Sequence, residues 1–151
     1  VRYALGRIPK EEWKERFFSF LNYFPADEAL RGSFWETHSK RIKKWYLDQK
    51  QDSDVIISAS PVFLLEPVSR RLGVTLIATE VDPGTGRFSG RNCSGKEKVR
   101  RFRQVYPDGR IDEFYSDSKK DLPMAGLATR AYFVRGNTIR PWTPEEIRQT
   151  Q

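Results

Sequence analysis

Two aspartates provide the strongest indication of chemistry in this sequence. Asp117 and Asp121 directly follow the predicted strand end Phe114-Tyr115-Ser116. Carboxylates four residues apart at the start of a helix lie on one face, where they can share a hard divalent cation through oxygen. The alternative is that both stabilise the positive end of the helix dipole. The spacing alone leaves both interpretations open.

A second candidate site is the turn Ser58-Ala59-Ser60, between the β-branched run Val55-Ile56-Ile57 and Pro61. In open parallel sheets, ligands bind beyond the carboxyl ends of the strands, where helix N-termini present N–H groups to anions. The Ser58 hydroxyl and the amides of Ala59 and Ser60 would then converge on a phosphate. Serine at such a turn is most often a helix cap, so this turn by itself is weak evidence.

A third candidate is a pair of lysines, Lys96 and Lys98, which open a predicted helix after Ser94-Gly95. A lysine on a helix normally keeps its ammonium group in solvent, so neither residue indicates a site by itself. The two lysines become informative because they lie between the other two candidate sites in the sequence.

Taken in order, these three features resemble a known family. The segments Ile56 to Pro61, Gly95 to Val99 and Asp117 to Pro123 resemble the second, third and fourth motifs of the haloacid dehalogenase (HAD) superfamily, in its phosphoserine-phosphatase-like branch. The resemblance extends from about Val55 to Gly136. It implies a Mg²⁺-dependent phosphatase that hydrolyses a small phosphomonoester through a phosphoaspartate intermediate.

The resemblance also implies a role for each matched residue. Ser58 would hydrogen-bond the phosphoryl oxygens, and Asp117 and Asp121 would hold Mg²⁺ directly or through water. A lysine would neutralise charge between the nucleophile and the phosphate. Alignment on the glycine at position 95 supports Lys96, whereas the run from Glu97 to Arg100 supports Lys98, so both stay candidates.

The family's first motif, a D-x-D pair after a central strand, has no counterpart here. No strand is predicted before Arg7, and Asp52-Ser53-Asp54 precedes its strand instead of following it. Without these aspartates the chain lacks a nucleophile and an acid/base for the leaving group. We therefore expect the chain alone to be inactive, with the missing strand supplied by an upstream segment or by another copy.

The elements that must position these residues form two predicted parts. Residues 1–50 carry apolar side chains at helical spacing from Pro9 to Phe24 and from Ala26 to about Gln49, which predicts a partial helical cap. Residues 51–151 alternate strands with helices, which predicts an α/β core with a mainly parallel sheet. The resemblance makes this core a HAD-like three-layer Rossmannoid fold that lacks its first strand. The predicted strands are Val55–Ile57, Val74–Thr79, Asp112–Ser116 and Thr129–Val134, with a hairpin at Val81–Cys93.

The composition limits which other functions and locations we expect for this chain. With 27 Lys+Arg against 20 Asp+Glu, the net charge of +7 also fits a non-catalytic basic module that binds nucleic acid or an anionic surface. The basic residues are dispersed, however, so we expect no specific nucleic-acid binding. The apolar run from Val55 to Leu65 is too short for a transmembrane segment. The chain shows no secretory signal, and its single cysteine, Cys93, cannot form an internal disulfide, so we expect a cytoplasmic protein.

Overall fold

The structure is a computed structural model, and it describes residues 14, 15, 18 and 28–148. The chain divides into two compact units, Val1–Asn92 and Cys93–Gln151. The predicted division at residue 50 stays a prediction. Most of the predicted helix from Pro9 to Phe24 lies outside the described residues, but Lys14, Glu15 and Phe18 are helical.

The second predicted helical stretch, Ala26 to Gln49, is not continuous. It comprises helix α1 (Glu28–His38), a 3₁₀ turn (Ser39–Arg41) and helix α2 (Lys44–Gln49). Ile42 and Lys43 separate them in an extended conformation, with ψ of 128° and 129°. A continuous helix would place the like charges of Lys40, Lys43 and Lys44 three and four residues apart, which is unfavourable.

The rest of the first unit is a strand-helix-strand unit: β1 (Val55–Pro61), α3 (Val62–Leu72) and β2 (Thr75–Thr79). The strands pair in parallel from Val55↔Thr75 to Ser58↔Ala78, and the register then shifts before Pro61. Helix α3 begins at Val62, and its C-cap is Gly73 in the left-handed conformation at φ 68°. An antiparallel bridge between Val81 and Phe88 marks the predicted hairpin.

The second unit contains a three-stranded sheet of order β3-β4-β5. Strand β3 pairs in parallel with β4, and β4 pairs antiparallel with β5. Its core is a cluster of Leu122, Ala125, Ala131 and Trp142. The elements in order are α4 (Lys96–Val105), β3 (Ile111–Ser116), a 3₁₀ turn (Lys119–Asp121), α5 (Leu122–Ala125), β4 (Ala128–Arg135), β5 (Thr138–Pro141) and α6 (Pro144–Arg148).

Helices and parallel strand pairs thus make up a mixed α/β fold, as predicted. Within the described residues, β1 pairs only with β2 and β3 only with β4, so β1 and β3 do not pair with each other. Such pairing would have contradicted the fold that the resemblance implies, in which the missing first strand lies between these two strands. The first 13 residues lie outside the described part, so the source of a strand between β1 and β3 stays a prediction. Across the described ranges, no helix has the length and apolar character needed to cross a membrane.

Candidate active site

The best-defined polar cluster lies at the carboxyl end of β3. Lys98 Nζ donates to Asp121 Oδ2 at 2.7 Å, and Ser116 Oγ donates to the same oxygen at 2.8 Å. Ser116 is the last residue of β3, and its hydroxyl oxygen also accepts from the Ser118 N–H at 3.0 Å. One hydroxyl therefore fixes both the loop after β3 and the buried carboxylate.

The ion pair between Lys98 and Asp121 is almost fully removed from solvent, with each side chain 9% exposed. Burying two charges costs several kcal/mol per ion, and their attraction offsets this cost only when the geometry is good and further hydrogen bonds are made. The short Nζ–Oδ2 distance and the Ser116 hydroxyl meet both conditions. The pair is thereby held in one geometry.

The two candidate lysines have different environments. Lys98 is buried and bonded to Asp121, whereas Lys96 is exposed at the first position of α4. Two positions along an α-helix are about 200° apart around the axis, so the two side chains point in nearly opposite directions. Of the two lysines, only Lys98 therefore contacts another predicted site residue of the second unit, Asp121.

The two aspartates are not arranged on one helical face as predicted. Asp117 is exposed and lies in the loop after β3, whereas Asp121 ends the 3₁₀ turn, which begins at Lys119. The Ser118 hydroxyl caps this turn by accepting from the Lys120 N–H at 3.3 Å. Both carboxylates nevertheless follow the same strand end, where ligands of parallel sheets bind.

These carboxylates suit Mg²⁺ by donor type. Mg²⁺ prefers oxygen ligands and usually keeps several waters, with one or two carboxylates and substrate phosphates completing its shell. In the described part of the chain, no group of three or more His, Cys, Asp or Glu side chains forms a metal site. Asp117 and Asp121 can supply the two carboxylates, and both hydrogen bonds to Asp121 use Oδ2.

The turn at the end of β1 forms a second polar cluster, in the first unit. The Ser60 N–H donates to Ser58 Oγ at 3.1 Å, so the Ser60 amide already has an acceptor within the turn. The Ala59 carbonyl accepts from Thr79 Oγ1 at 3.1 Å and from Lys14 Nζ at 2.7 Å. Because Ser58 Oγ accepts one hydrogen bond, its own hydrogen can still be donated to a ligand.

Several residues of these clusters were not identified from the sequence. Ser116 had a usable signal, because it stands at a strand end directly before Asp117. Lys14, Thr79 and Asn92 had none: Lys14 contacts Ala59 and Asn92 across 45 and 78 residues of chain, and no local spacing encodes such contacts.

Cys93, by contrast, is a core residue. It is fully buried, and burial raises the pKa of its thiol. Such an environment disfavours the reactive thiolate.

The sequence is similar to a known family and to several characterised proteins. Residues 2–126 match the sequence model of the haloacid dehalogenase-like hydrolases. Protein CicA from two strains of Caulobacter vibrioides is 41% identical over 81 residues, covering 49% of this chain and 36% of CicA. Histidinol-phosphatase from Neisseria meningitidis serogroup C is 27% identical over 146 residues, covering 86% of this chain and 61% of that enzyme. The chain thus spans less than two thirds of each relative.

A solved structure supports the fold. The crystal structure of a protein with unknown function from Bordetella pertussis Tohama I superposes with a TM-score of 0.63 at 23% identity. The match covers 86% of this chain and 68% of that one. At this identity the similarity establishes a shared fold and nothing about activity.

Proposed function

Because the chain belongs to the family of haloacid dehalogenase-like hydrolases, we propose that it acts in a Mg²⁺-dependent phosphatase that hydrolyses a small phosphomonoester. The observation that carries this proposal is the buried Lys98–Asp121 pair, fixed by Ser116 at the carboxyl end of a parallel strand. The phosphatase name of the Neisseria relative supports the reaction class. The phosphoserine-phosphatase-like branch and a cytoplasmic location belong to the same proposal.

Each proposed role follows from a residue's position. Ser58 donates its hydroxyl hydrogen to a phosphoryl oxygen, and the Ala59 amide lies in the same turn. The Ser60 amide fixes the Ser58 oxygen and so orients this donor. We assign charge neutralisation to Lys98 and not to Lys96, because Lys98 is buried beside Asp121 at the proposed site whereas Lys96 is exposed.

Asp117 and Asp121 are the proposed Mg²⁺ ligands. The Asp121 Oδ1 atom is the oxygen available for this role, since Lys98 and Ser116 both bond to Oδ2. A bound Mg²⁺ would neutralise negative charge on phosphoryl oxygens and orient the phosphate for in-line attack.

The nucleophile is proposed to be an aspartate outside the motifs found here. Asp52 and Asp54 lie at the amino end of β1, opposite the end that carries Ser58. They therefore cannot act on a phosphate bound at the carboxyl end of the strand. The phosphoaspartate intermediate therefore requires a further D-x-D segment. Without it, the 151-residue chain is expected to be inactive.

The test is hydrolysis of a panel of phosphomonoesters by a protein extended ahead of residue 1 by a D-x-D segment. We expect turnover that requires Mg²⁺ and is abolished by Asp117→Asn. Lys98→Met should lower the rate at least a hundredfold, whereas Lys96→Met, which removes the same charge from an exposed site, should leave it nearly unchanged. Inactivity on the whole panel, or full activity of Asp117→Asn, would overturn the proposal.

A further inference from the structure

We propose that Ser116 is a positioning residue of the metal site, and that its hydroxyl sets the affinity of the protein for Mg²⁺. This inference rests on the proposed function, because it takes Asp117 and Asp121 as the Mg²⁺ ligands. Ser116 itself lies outside the three sequence motifs, since the last of them begins at Asp117. The hydroxyl would act on the metal only through the two carboxylates.

The orientation of the Asp121 carboxylate depends on its hydrogen bonds. The torsion that rotates an aspartate carboxylate has broad minima, so the side chain alone does not fix the direction of its oxygens. Ser116 Oγ donates to Asp121 Oδ2 at 2.8 Å, and Lys98 Nζ donates to the same atom at 2.7 Å. Two donors on one oxygen define the orientation of the whole carboxylate. They thereby also set the position of Oδ1, the atom assigned to Mg²⁺.

The two donors differ in how firmly the protein holds them. Lys98 reaches Asp121 from α4 at the end of a flexible four-carbon stem. Ser116 carries its hydroxyl on a single carbon, and its backbone belongs to β3, where it pairs with Phe133 of β4. Lys98 therefore supplies the compensating charge, whereas Ser116 supplies the fixed direction.

The Ser116 hydroxyl also holds the loop that carries the second proposed ligand. Its oxygen accepts from the Ser118 N–H at 3.0 Å, which closes a turn around Asp117. Asp117 is exposed, so packing contributes little to its position. Mg²⁺ demands a nearly ideal octahedral arrangement of its ligands, so its binding is sensitive to small displacements of either carboxylate. Loss of one hydroxyl should therefore disturb both ligands together.

The test measures Mg²⁺ binding by calorimetry, without substrate, to the protein extended ahead of residue 1 by a D-x-D segment. Ser116→Ala removes the hydroxyl, and we expect it to weaken Mg²⁺ binding about tenfold, or about 1.4 kcal/mol. Ser116→Thr keeps the hydroxyl on a side chain that suits a strand, and its affinity should stay within about threefold of the parent protein. At saturating Mg²⁺, the kcat of Ser116→Ala should approach that of the parent, because Ser116 acts through the metal ligands.

The matched control is Ser118→Ala, in the same loop. The Ser118 hydroxyl caps the 3₁₀ turn by accepting from the Lys120 N–H at 3.3 Å, whereas the contact of Ser118 with Ser116 uses the backbone N–H, which alanine retains. We expect Ser118→Ala to lower the Tm through loss of the cap. Its Mg²⁺ affinity should stay within about threefold of the parent protein. Thermal unfolding without Mg²⁺ separates this loss of stability from a loss of metal binding.

Unchanged Mg²⁺ affinity in Ser116→Ala, or an equal loss in Ser116→Thr or Ser118→Ala, would overturn the role of the Ser116 hydroxyl. If Asp117→Asn still weakens Mg²⁺ binding in that case, the proposed function survives. If the extended protein binds no Mg²⁺, or if Asp117→Asn has no effect on binding, both proposals fail. Should Ser116→Ala not fold, Ser116→Cys takes its place with the same expectations, because a thiol of similar shape is a much weaker donor.

Discussion

At the scale of single residues, the ion pair of Lys98 and Asp121 connects stability to the proposed chemistry. Replacing Lys98 by methionine keeps the apolar stem but leaves the Asp121 carboxylate buried without its cation. Removal of one partner from a buried pair typically costs about 3 to 5 kcal/mol. We expect Lys98→Met to lower the free energy of unfolding by this amount, measured by urea denaturation.

The control is again the neighbouring lysine. Lys96→Met should change the free energy of unfolding by no more than about 0.5 kcal/mol, because Lys96 is exposed. A double variant, Lys98→Met with Asp121→Leu, should be more stable than Lys98→Met alone because no unpaired charge remains. If Lys98→Met and Lys96→Met are equally stable, the ion pair does not contribute as described.

A second residue, Glu97, should make the stability of the protein depend on pH in the acid range. Two hydrogen bonds from Arg100 and a further one from Arg101 lower the Glu97 pKa to about 2, although burial opposes the shift. A carboxyl group with a lowered pKa in the folded state adds stability that is present above the unfolded pKa of about 4.3. That contribution is lost as the pH falls towards about 2.

We therefore expect Glu97→Gln to lower the Tm at pH 6, with the difference from the parent protein shrinking between about pH 4.3 and about pH 2. Thermal unfolding monitored by circular dichroism across this range measures the effect. A Tm difference that stays constant over the range would show that the ion pairs of Glu97 are not the cause.

At the scale of secondary-structure elements, the hairpin after β2 and the helical segment near Phe18 approach each other closely at Gly86. Gly86 has a φ of +74°, and a Cβ atom there would overlap the carbonyl oxygen of Phe18. Gly86→Ala therefore faces both backbone strain, about 1 to 2 kcal/mol, and a steric clash with backbone. We expect Gly86→Ala to lower the free energy of unfolding by more than about 2 kcal/mol.

Gly73 supplies the matched control for this prediction. Its φ is +68°, but a Cβ atom would meet nothing within 4 Å, so Gly73→Ala should show the strain alone. Urea denaturation of both variants measures the difference. Equal losses would mean that the hairpin and the helical segment do not approach each other as closely as described.

The order of elements between residues 55 and 135 was predictable because short β-branched runs alternate with amphipathic stretches. Helix α4 begins at Lys96, where the predicted helix opens, and β2 begins one residue later than predicted. The interruption at Ile42 and Lys43 was missed, because apolar periodicity continues across a run of like charges. Periodicity reports which faces are apolar, but not whether the backbone can remain helical.

The candidate site was predictable only in part, for a similar reason. Spacing identified Ser58, Asp117 and Asp121, which match family motifs. The choice between Lys96 and Lys98 required knowledge of which face of α4 packs inward. Lys14 required the tertiary approach of a segment 45 residues before Ala59, and no local pattern contains that information.

At the scale of the whole molecule, the positive charge is partly compensated within local ion pairs. Lys44, Arg70 and Arg100 each pair with a carboxylate three or four residues away, and Arg140 pairs with Glu146. In the part of the chain that the structure describes, these four cations are offset by neighbouring carboxylates. We expect weak nucleic-acid binding without sequence preference in a filter-binding titration. Submicromolar affinity that survives at roughly 0.2 M salt would favour the alternative, a basic binding module.

Both sheets have strands with an open edge. Within the described residues, β1 has a partner on one side only, β2, and β3 likewise has only β4. Each open edge presents a row of N–H and C=O groups, and each group buried without a partner costs about 1 to 3 kcal/mol. A domain has only about 5 to 15 kcal/mol of stability in total, so several such groups would remove most of it.

We therefore expect a further strand, from a D-x-D segment or from another copy of the chain, to pair with β1 and β3. Hydrogen exchange should be slower in peptides spanning Val55–Pro61 and Ile111–Ser116 when the chain is extended by that segment. Strand β4, which already has partners on both sides, provides the internal reference and should gain the least protection. If another copy supplies the strand, the protection of the β1 and β3 amides should instead rise with protein concentration. The particle mass measured by sedimentation should rise with it. A 151-residue monomer that unfolds cooperatively, with β1 and β3 as protected as in the extended protein, would show that these edges need no partner.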